Sequence, residues 1–413
     1  MPVFSPTALV GLAATCPEAT SPPNPQGRPI SIWEITSWIL PMAPEHLRRV
    51  LAAEPTLPQG TAGAEGGTRW FQPSDLVALR AHFASGPRKA RYLPARLGAA
   101  PLVVMTGPLG AMGRSSALVH LATAAALSGH RVLVIDGDPG GDVSRALPCA
   151  TPAGTGVLSL IARSAALHLR RLNEARLERG DAPQPMDEAL SAALPLTATD
   201  LIRPSLWPGL DVMAAPLAMM QGDRQIAGWR LGLRTWAPGQ ALRQAIEEAG
   251  LRQRYDLILC DTPRGLGPLA LALLASADVL LAPLPLRDDG PARLGAGLLA
   301  LAEAMTQLEA EAQTAARALG QVAAAGQSWQ ALWVLPNRAG EDAARQMAQA
   351  TALLGEALVP PPLPEVTALA DGVARQFYDL DYRKLGRLTY APLREACDAA
   401  WRSVAERLAA LES

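Results

Sequence analysis

Lysine is almost missing from this 413-residue chain, since only Lys89 and Lys384 occur among its 37 lysine and arginine residues. Cysteine is scarce too, and the four cysteines show neither the spacing of a zinc site nor that of a redox pair. There is no excess of charge of either sign, because the formal net charge is −1. With 49% hydrophobic residues, this composition predicts a folded, soluble protein of the reducing cytoplasm.

The sequence also lacks a convincing targeting or membrane segment. Residues 1–28 have no basic n-region, and their prolines are typical of a flexible tail rather than a signal peptide. The longest apolar run, Leu269 to Leu286, is interrupted by Asp278. We therefore interpret it as a buried helix followed by a core strand, and we expect no membrane association.

The stretch that carries most information opens with an apolar run, Leu102–Met105, and a glycine-bearing loop, Gly107–Gly113, before an Ala/Leu-rich helix. A second apolar run, Val132–Ile135, then ends in two carboxylates, Asp136 and Asp138. Strand, glycine loop, helix and strand form the opening unit of a parallel α/β fold. Ligands of such folds bind at the carboxyl ends of the strands.

The loop has the chemistry of a phosphate site. Glycines let backbone N–H groups approach an anion closely, and the following helix adds the positive end of its dipole. Ser115 lies where a P-loop places its Mg²⁺ ligand. An ordinary tight turn between strand and helix would show similar glycines, so both interpretations stay open on these residues alone.

Three motifs extend the argument to a family. Leu109–Ser115 resembles, in register, the deviant Walker A pattern KGGxGK(S/T) of ParA/MinD-type ATPases. Asp136–Pro139 resembles their IDxDPQ strand end, and Tyr255–Pro263 resembles their Walker B strand, YDxIxIDxPP. The resemblance implies an α/β fold for residues 99–413, with a mostly parallel P-loop NTPase-like sheet and helices on both faces.

The same alignment shows where the chain departs from the pattern. Leu109 and Arg114 replace the two lysines, Ala111 replaces a glycine, and Gly140 replaces the glutamine after the Asp-Pro pair. Because the whole chain uses arginine in place of lysine almost everywhere, the arginine at position 114 has an explanation that is unrelated to function. An arginine fork is larger than an ammonium, and Leu109 supplies no charge at all. We therefore expect weak nucleotide binding and slow or defective hydrolysis.

The resemblance implies roles for individual residues. Asp138 would orient the attacking water with Asp136 beside the metal, and Ser115 and Asp261 would hold Mg²⁺. Asn337, at the end of a predicted strand, is a candidate adenine contact, although an asparagine turn explains it equally well. The residues expected to bind the nucleotide ATP are Gly110, Gly113, Arg114, Ser115, Ser116 and Asn337.

A small module, residues 29–98, precedes this domain. Ser31-x-x-Glu34 is a capping box that predicts a helix to about Leu40, and Pro44 suits the first turn of a second helix. A strand-like segment at Thr68–Phe71 and a third helix from about Asp75 follow. Helix, turn, helix, glycine-rich wing and helix predict a winged helix-turn-helix of the MerR-like kind with a basic linker.

The charge of this module differs from that of the whole chain. It carries eight Lys/Arg against five Asp/Glu, an asymmetry that favours nucleic acid. We predict DNA binding through Arg48 and Arg49 on the second helix and Arg69 on the wing. The alternative is a packing or dimerisation domain whose arginines are only solvated.

Asp75–Arg80 resembles the DLxxLR helix of the RepA partition proteins of RepABC-type plasmids. That branch implies a nucleoid-associated homodimer that binds ATP and DNA, and whose hydrolysis is stimulated by a centromere-binding ParB/RepB-like partner. Two functions remain open. One is a partition ATPase that hydrolyses ATP slowly, and the other is a catalytically inactive DNA-binding regulator or autorepressor that keeps the fold.

Overall fold

A computed structural model gives the structure of residues 27–63, 68–87, 91–94, 98–107, 109–110, 112–149, 156–318, 328–370 and 375–411. The predicted tail, apart from its last two residues, lies outside the described residues. So do Ala111 of the glycine loop and Arg88, Lys89 and Arg96 of the basic linker. Within the described ranges, no helix is both long enough and apolar enough to cross a membrane.

The N-terminal module combines three helices with a small antiparallel sheet. The strands are β1 (Ile30–Ser31), β2 (Thr61–Ala62) and β3 (Arg69–Phe71), in the order β1-β3-β2. The helices are α1 (Ile32–Glu34), which continues as a wide turn over Ile35–Ile39, α2 (Pro44–Ala53) and α3 (Asp75–Ala84). The predicted capping box forms, because the Glu34 amide donates to Ser31 Oγ and Ser31 N–H donates to Glu34 Oε2. The winged helix-turn-helix assignment stays a prediction.

The remainder of the described chain is built on a seven-stranded sheet. Its strands are β4 (Leu102–Met105), β5 (Val132–Ile135), β6 (Ile202–Pro204), β7 (Leu210–Met213), β8 (Leu257–Cys260), β9 (Val279–Pro285) and β10 (Ala331–Asn337). They lie in the order β10-β9-β4-β8-β5-β7-β6, and every pair is parallel except β6 with β7. The predicted mostly parallel sheet is therefore confirmed.

Helices cover this sheet on both faces. They are α4 (Arg114–Ser128), α5 (Asp142–Ala146), α6 (Val157–Glu178), α7 (Glu188–Ala193), α8 (Ala198–Leu201), α9 (Gly222–Gly232), α10 (Ala241–Glu248), α11 (Leu251–Arg254), α12 (Pro268–Ser276), α13 (Gly290–Ala318), α14 (Ala343–Leu354), α15 (Thr367–Ala370), α16 (Tyr382–Leu385) and α17 (Arg387–Leu411). Successive side chains of a strand point to opposite faces. On β4, Val103 and Met105 belong to one buried cluster and Leu102 and Val104 to another, so each face has its own core.

The N-terminal module shares the first of these cores. Its buried Phe71 and Leu79 belong to the same apolar cluster as Trp401 and Val404 of α17. The module and the sheet domain are thus packed together along one side of the sheet.

A buried polar cluster ties the module to α17. Arg28 Nη2 lies 2.6 Å from Glu34 Oε1 and 3.0 Å from Tyr390 Oη, and Tyr390 Oη donates to Glu34 Oε1 at 3.0 Å. Burial alone would raise the pKa of Glu34, but Arg28 and the Ser31 amide hold that pKa below its usual value. A buried carboxylate that is paired in this way is destabilising when its partner is removed.

Arg80, the last residue of the DLxxLR motif, makes a second connection. It lies on α3 and donates to the carbonyl oxygens of Leu127 at 2.5 Å and Ser128 at 3.3 Å, in the last turn of α4. Helix C-termini leave carbonyl groups without intrahelical partners, and an arginine at this position satisfies them.

The closing helix of the described chain contains a proline. Helix α17 begins at Arg387 and contains Pro392 in its second turn. Proline leaves the carbonyl four residues earlier without a donor. That residue, Leu388, is 93% exposed, so its carbonyl group lies at the surface, where water can replace the missing bond.

Candidate functional site

A cleft of about 160 Å³ lies at the carboxyl edge of the sheet, where the loop after β4 meets the first turn of α4. The predicted nucleotide-binding residues that line it are Gly110, Gly113, Arg114, Ser115 and Ser116. Asp138, which follows β5, lines it as well. The structure therefore brings two of the three family-like motifs to one place, and Asp261 from the third is in direct contact with them.

Gly113 and Asn337 fix the shape of the loop. Gly113 precedes α4 in a left-handed conformation with φ 77°, and a Cβ atom there would lie 2.7 Å from Asn337 Nδ2. Asn337 Nδ2 donates to the carbonyl of Met112 at 2.8 Å. Its Oδ1 is buried and accepts no hydrogen bond from the described residues. Asn337 thus positions the loop and keeps an unused acceptor beside it.

Arg114 turns inward, toward the carboxylates. Its Nη1 donates to the carbonyl oxygens of Gly107 at 2.8 Å and Pro263 at 3.1 Å. Its Nη2 lies 3.7 Å from Asp138 Oδ2, and its Nε lies 3.7 Å from Asp261 Oδ1. The Arg114 side chain is only 8% exposed, and its guanidinium forms ion pairs with two carboxylates of its own chain.

Ser115 and Asp261 form the pair predicted to hold a metal. Ser115 Oγ donates to Asp261 Oδ2 at 2.6 Å, and the amide of Thr262 donates to Asp261 Oδ1 at 2.9 Å. Burial raises the pKa of Asp261 above its usual value, and the opposing effects of Arg114 and Ser115 do not cancel this rise. A hydroxyl and a carboxylate oxygen are the hard donors that Mg²⁺ prefers.

Asp136 is buried and bound to the backbone around it. Its Oδ2 accepts hydrogen bonds from the amide and the hydroxyl of Ser144, at 2.8 and 2.5 Å, and its Oδ1 accepts from the amide of Asp138 at 3.2 Å. Burial raises the pKa of Asp136 to about 7, and although Ser144 opposes this shift, Asp261 adds to it. Asp136 therefore orders the turn that presents Asp138.

Two further arginines line the cleft, and neither was among the site residues predicted from the sequence. Arg264 follows the Walker B strand, and Arg338 follows Asn337 at the end of β10. Arg264 stands where the quoted YDxIxIDxPP pattern has its second proline, which was a usable signal. Arg338 has no such signal, because it reaches the cleft only through the fold.

The residues predicted for DNA binding lie in the N-terminal module. Arg48 and Arg49 are exposed on α2, where Arg48 pairs with Glu45 at 3.2 Å. Arg69 is exposed on β3 and donates to the carbonyl of Gln59 at 2.8 Å. These arginines line a different part of the molecule from the cleft.

Residues 102–314, a little over half of the chain, match AAA_31, a family described as an AAA domain. The chain belongs to the AAA_31 family. Its matched segment begins at β4 and so includes the glycine loop, Asp138 and Asp261.

Curated relatives of this AAA_31 protein include one that is named for chromosome partitioning. It is 28% identical over 192 residues to protein SopA of Escherichia coli, covering 45% of this chain and 41% of SopA. It is 29% identical over 176 residues to the chromosome partitioning protein ParA of Caulobacter vibrioides, covering 42% of this chain and 52% of ParA. The chain thus spans about half the length of these relatives.

A solved structure agrees with the fold. A protein titled "Partition Protein" superposes with a TM-score of 0.53 over 92% of this chain and 95% of its own, at 18% sequence identity. At that identity the likeness concerns the fold. The predicted ParA-type resemblance and P-loop NTPase-like fold of this AAA_31 protein are confirmed.

Proposed function

We propose that this AAA_31 protein is a DNA-segregation ATPase that binds ATP and Mg²⁺ in the cleft, binds DNA through the N-terminal module, and hydrolyses ATP slowly. One observation carries the proposal: the glycine loop and the start of α4 meet Asp138 and Asp261 at the carboxyl edge of a parallel sheet. This is where ligands of such sheets bind.

The proposed nucleotide binding rests on groups at the cleft that complement the phosphates of ATP. The first turn of α4 offers backbone N–H groups and a positive dipole end to phosphate oxygens. Asn337 is buried and is not among the lining residues of the cleft, so it supports the site by holding the loop through its bond to Met112. The cleft, at about 160 Å³, is smaller than the roughly 300–1,000 Å³ typical of small-molecule sites. It accommodates phosphates, and the base would lie at its rim.

The residues present also fit Mg²⁺. Ser115 Oγ and Asp261 Oδ2 are close enough to share one ion, and Mg²⁺ usually takes one or two protein ligands with phosphates and waters. Across the described ranges, no group of three or more His, Cys, Asp or Glu side chains is arranged to hold a metal by itself. The ion would neutralise phosphate charge, while Ser115 and Asp261 would give up their mutual hydrogen bond.

Slow hydrolysis follows from the partners of Asp138. Its Oδ1 accepts from the amide of Gly140 at 2.8 Å, and its Oδ2 faces the guanidinium of Arg114. A carboxylate that orients water needs a free oxygen aimed at it. Arg114 draws Asp138 Oδ2 toward its guanidinium and away from such a water. Leu109 supplies no positive charge to the transition state, and loss of one such electrostatic interaction typically lowers the rate by about 10²–10³.

Titration with a fluorescent ATP analogue tests the proposed nucleotide binding. The release of phosphate from ATP measures turnover. We expect saturable binding that is weakened by Asp261→Asn, and turnover that is further reduced by Asp138→Asn. Ser37→Ala, an exposed serine in the N-terminal module, is the control and should change neither. No binding by the wild-type chain at millimolar nucleotide would refute this part.

DNA binding is tested with the full chain, because the module shares its core with α17. We expect a double variant, Arg48→Ala with Arg49→Ala, to weaken duplex binding and to reduce the salt slope by about 0.9 for each phosphate that the protein no longer neutralises. Arg179→Ala, an exposed arginine after α6, is the matched control. If the wild-type chain retards no DNA at any salt concentration, the N-terminal module has a structural role only.

The second candidate function is an inactive DNA-binding regulator with a ParA fold. The specific observation in its favour is Arg114, whose guanidinium lies beside Asp138 and Asp261 and supplies the positive charge that a bound metal ion would otherwise supply. Salt-sensitive DNA binding without any nucleotide binding would select this function. In the partition function, we expect a homodimer that sandwiches ATP, and a centromere-binding ParB/RepB-like partner that raises turnover.

A further inference from the structure

Arginines surround the glycine loop, and their interactions divide them into two kinds. Arg114 already forms ion pairs with Asp138 and Asp261 and hydrogen bonds to the two carbonyl groups described above. Arg293 on α13 has partners as well, since its Nη2 donates to the carbonyl of Gly110 at 2.7 Å and its Nη1 lies 3.7 Å from Asp289. Neither guanidinium is available to a ligand without losing these partners.

Arg264 and Arg338 are different. Both line the cleft, and neither makes a hydrogen bond or ion pair with any described residue. Arg264 is exposed and Arg338 half-buried. A cleft that holds two uncompensated guanidinium groups next to a helix N-terminus is a site for an anion with more than one charged oxygen.

The backbone at Arg338 shows that its position is imposed by the fold. It has φ 56°, a left-handed conformation that non-glycine residues seldom adopt. Its Nε lies 3.5 Å from where a Cβ of Gly113 would be, so the guanidinium lies directly against the loop. Strained conformations of this kind cluster at ligand sites.

We propose that Arg264 and Arg338 bind the phosphate oxygens of a nucleoside polyphosphate and replace the positive charge that Leu109 and Arg114 do not deliver to the cleft. The inference rests on the proposed nucleotide function and names the residues that make it possible in this chain. Each planar fork can hold two oxygens at once, which a lysine cannot do.

The test uses the full chain and a fluorescent ATP analogue. We expect Arg264→Ala and Arg338→Ala each to weaken binding about tenfold, the value of one charged hydrogen bond at a partly exposed site, and the double variant about a hundredfold. Arg179→Ala, which does not line the cleft, is the matched control and should bind as the wild type does. Thermal melts should match the wild type, because the described chain gives neither arginine a partner to lose.

A rescue variant separates charge from shape. Leu109→Lys on the Arg264→Ala background returns a cation to the cleft at another position, and it should recover most of the lost affinity. Arg264→Lys should bind between wild type and Arg264→Ala.

The outcomes distinguish this inference from the proposed function. If the wild type binds the analogue and the double variant binds equally well, the two arginines are not phosphate ligands and only the inference fails. If the wild type binds no nucleotide, both fail together. Weakened binding in Arg264→Ala that Leu109→Lys does not restore would overturn the claim that charge is what the cleft requires.

Discussion

Replacing Arg114 with methionine would remove the cation that lies between two carboxylates and keep most of the side-chain volume. The affected side chains are well buried, with Asp261 at 0% and Asp138 at 12% exposed. The variant would leave Asp261 with only Ser115 and a backbone amide to stabilise its charge. The carbonyls of Gly107 and Pro263 would also lose a donor.

Removing one partner of a buried ion pair costs about 3–5 kcal/mol of stability. Both ion-pair separations here are 3.7 Å, longer than a direct hydrogen bond, so the lower value of about 3 kcal/mol applies. The loss depends on pH. Without Arg114, the folded pKa of Asp261 rises further above its unfolded value, and stability then falls as pH rises through that folded pKa. The deficit should be larger at pH 8 than at pH 5.

Urea unfolding of the nucleotide-free protein at these two pH values measures the effect. Asp261→Asn on the Arg114→Met background should restore about 2 kcal/mol, because it removes the uncompensated charge. Arg293→Met, which removes a partly exposed hydrogen bond to the loop and an exposed ion pair with Asp289, should lower stability by less than about 1 kcal/mol. A decrease below about 1 kcal/mol in Arg114→Met at pH 8, or one that Asp261→Asn does not relieve, would refute the reasoning.

Three other properties of the protein can be measured against the structure. The pKa of Asp136 is about 7 in the fold, above its usual value, so stability should fall as pH rises from about 4 to 7. Asp136→Asn should reduce this fall by at most about 4 kcal/mol in urea titrations, and parallel wild-type and variant curves would contradict the prediction. The pKa of Glu34 is lowered, so the stability that its charged pair with Arg28 provides is lost only as pH falls through that lowered pKa. Glu34→Gln should therefore lose about 3 kcal/mol at pH 7 and progressively less in acid titrations, and a loss that is the same at every pH would count against the pair. Light scattering with ATP present should give twice the 43.4 kDa chain mass, whereas the mass of one chain at tens of micromolar would exclude the sandwich dimer.

Much of the sheet could be predicted because its strands are continuous apolar runs. The predicted strand residues of β4 and β5 match the observed elements at both ends, and Leu269–Leu286 resolves into α12 and β9 as expected. Parallel strands covered on both faces leave this pattern in any sequence. The loop could be found for a similar reason, since Gly113 must adopt a positive φ and only a few residue types do so.

The rest of the site depends on contacts between distant segments. Arg114 was expected to face phosphate, and its actual partners, Pro263 and Asp261, lie about 150 residues away along the chain. The conformation of Arg338 and the unused oxygen of Asn337 are likewise products of packing. A sequence pattern reports which residues are adjacent along a strand or helix, and it does not report which charges the fold brings together.

Helix α4 has the glycine loop at one end and Arg80 at the other. Its 15 residues span about 22 Å, and it is buried along almost all of its length. In the proposed function, a shift of its first turn on phosphate binding would be transmitted along this rigid helix to its last turn, where Arg80 of α3 donates to the carbonyls of Leu127 and Ser128. Coupling of this kind is reciprocal. DNA held by the module would then change the nucleotide affinity of the cleft by the same factor as nucleotide changes the affinity for DNA.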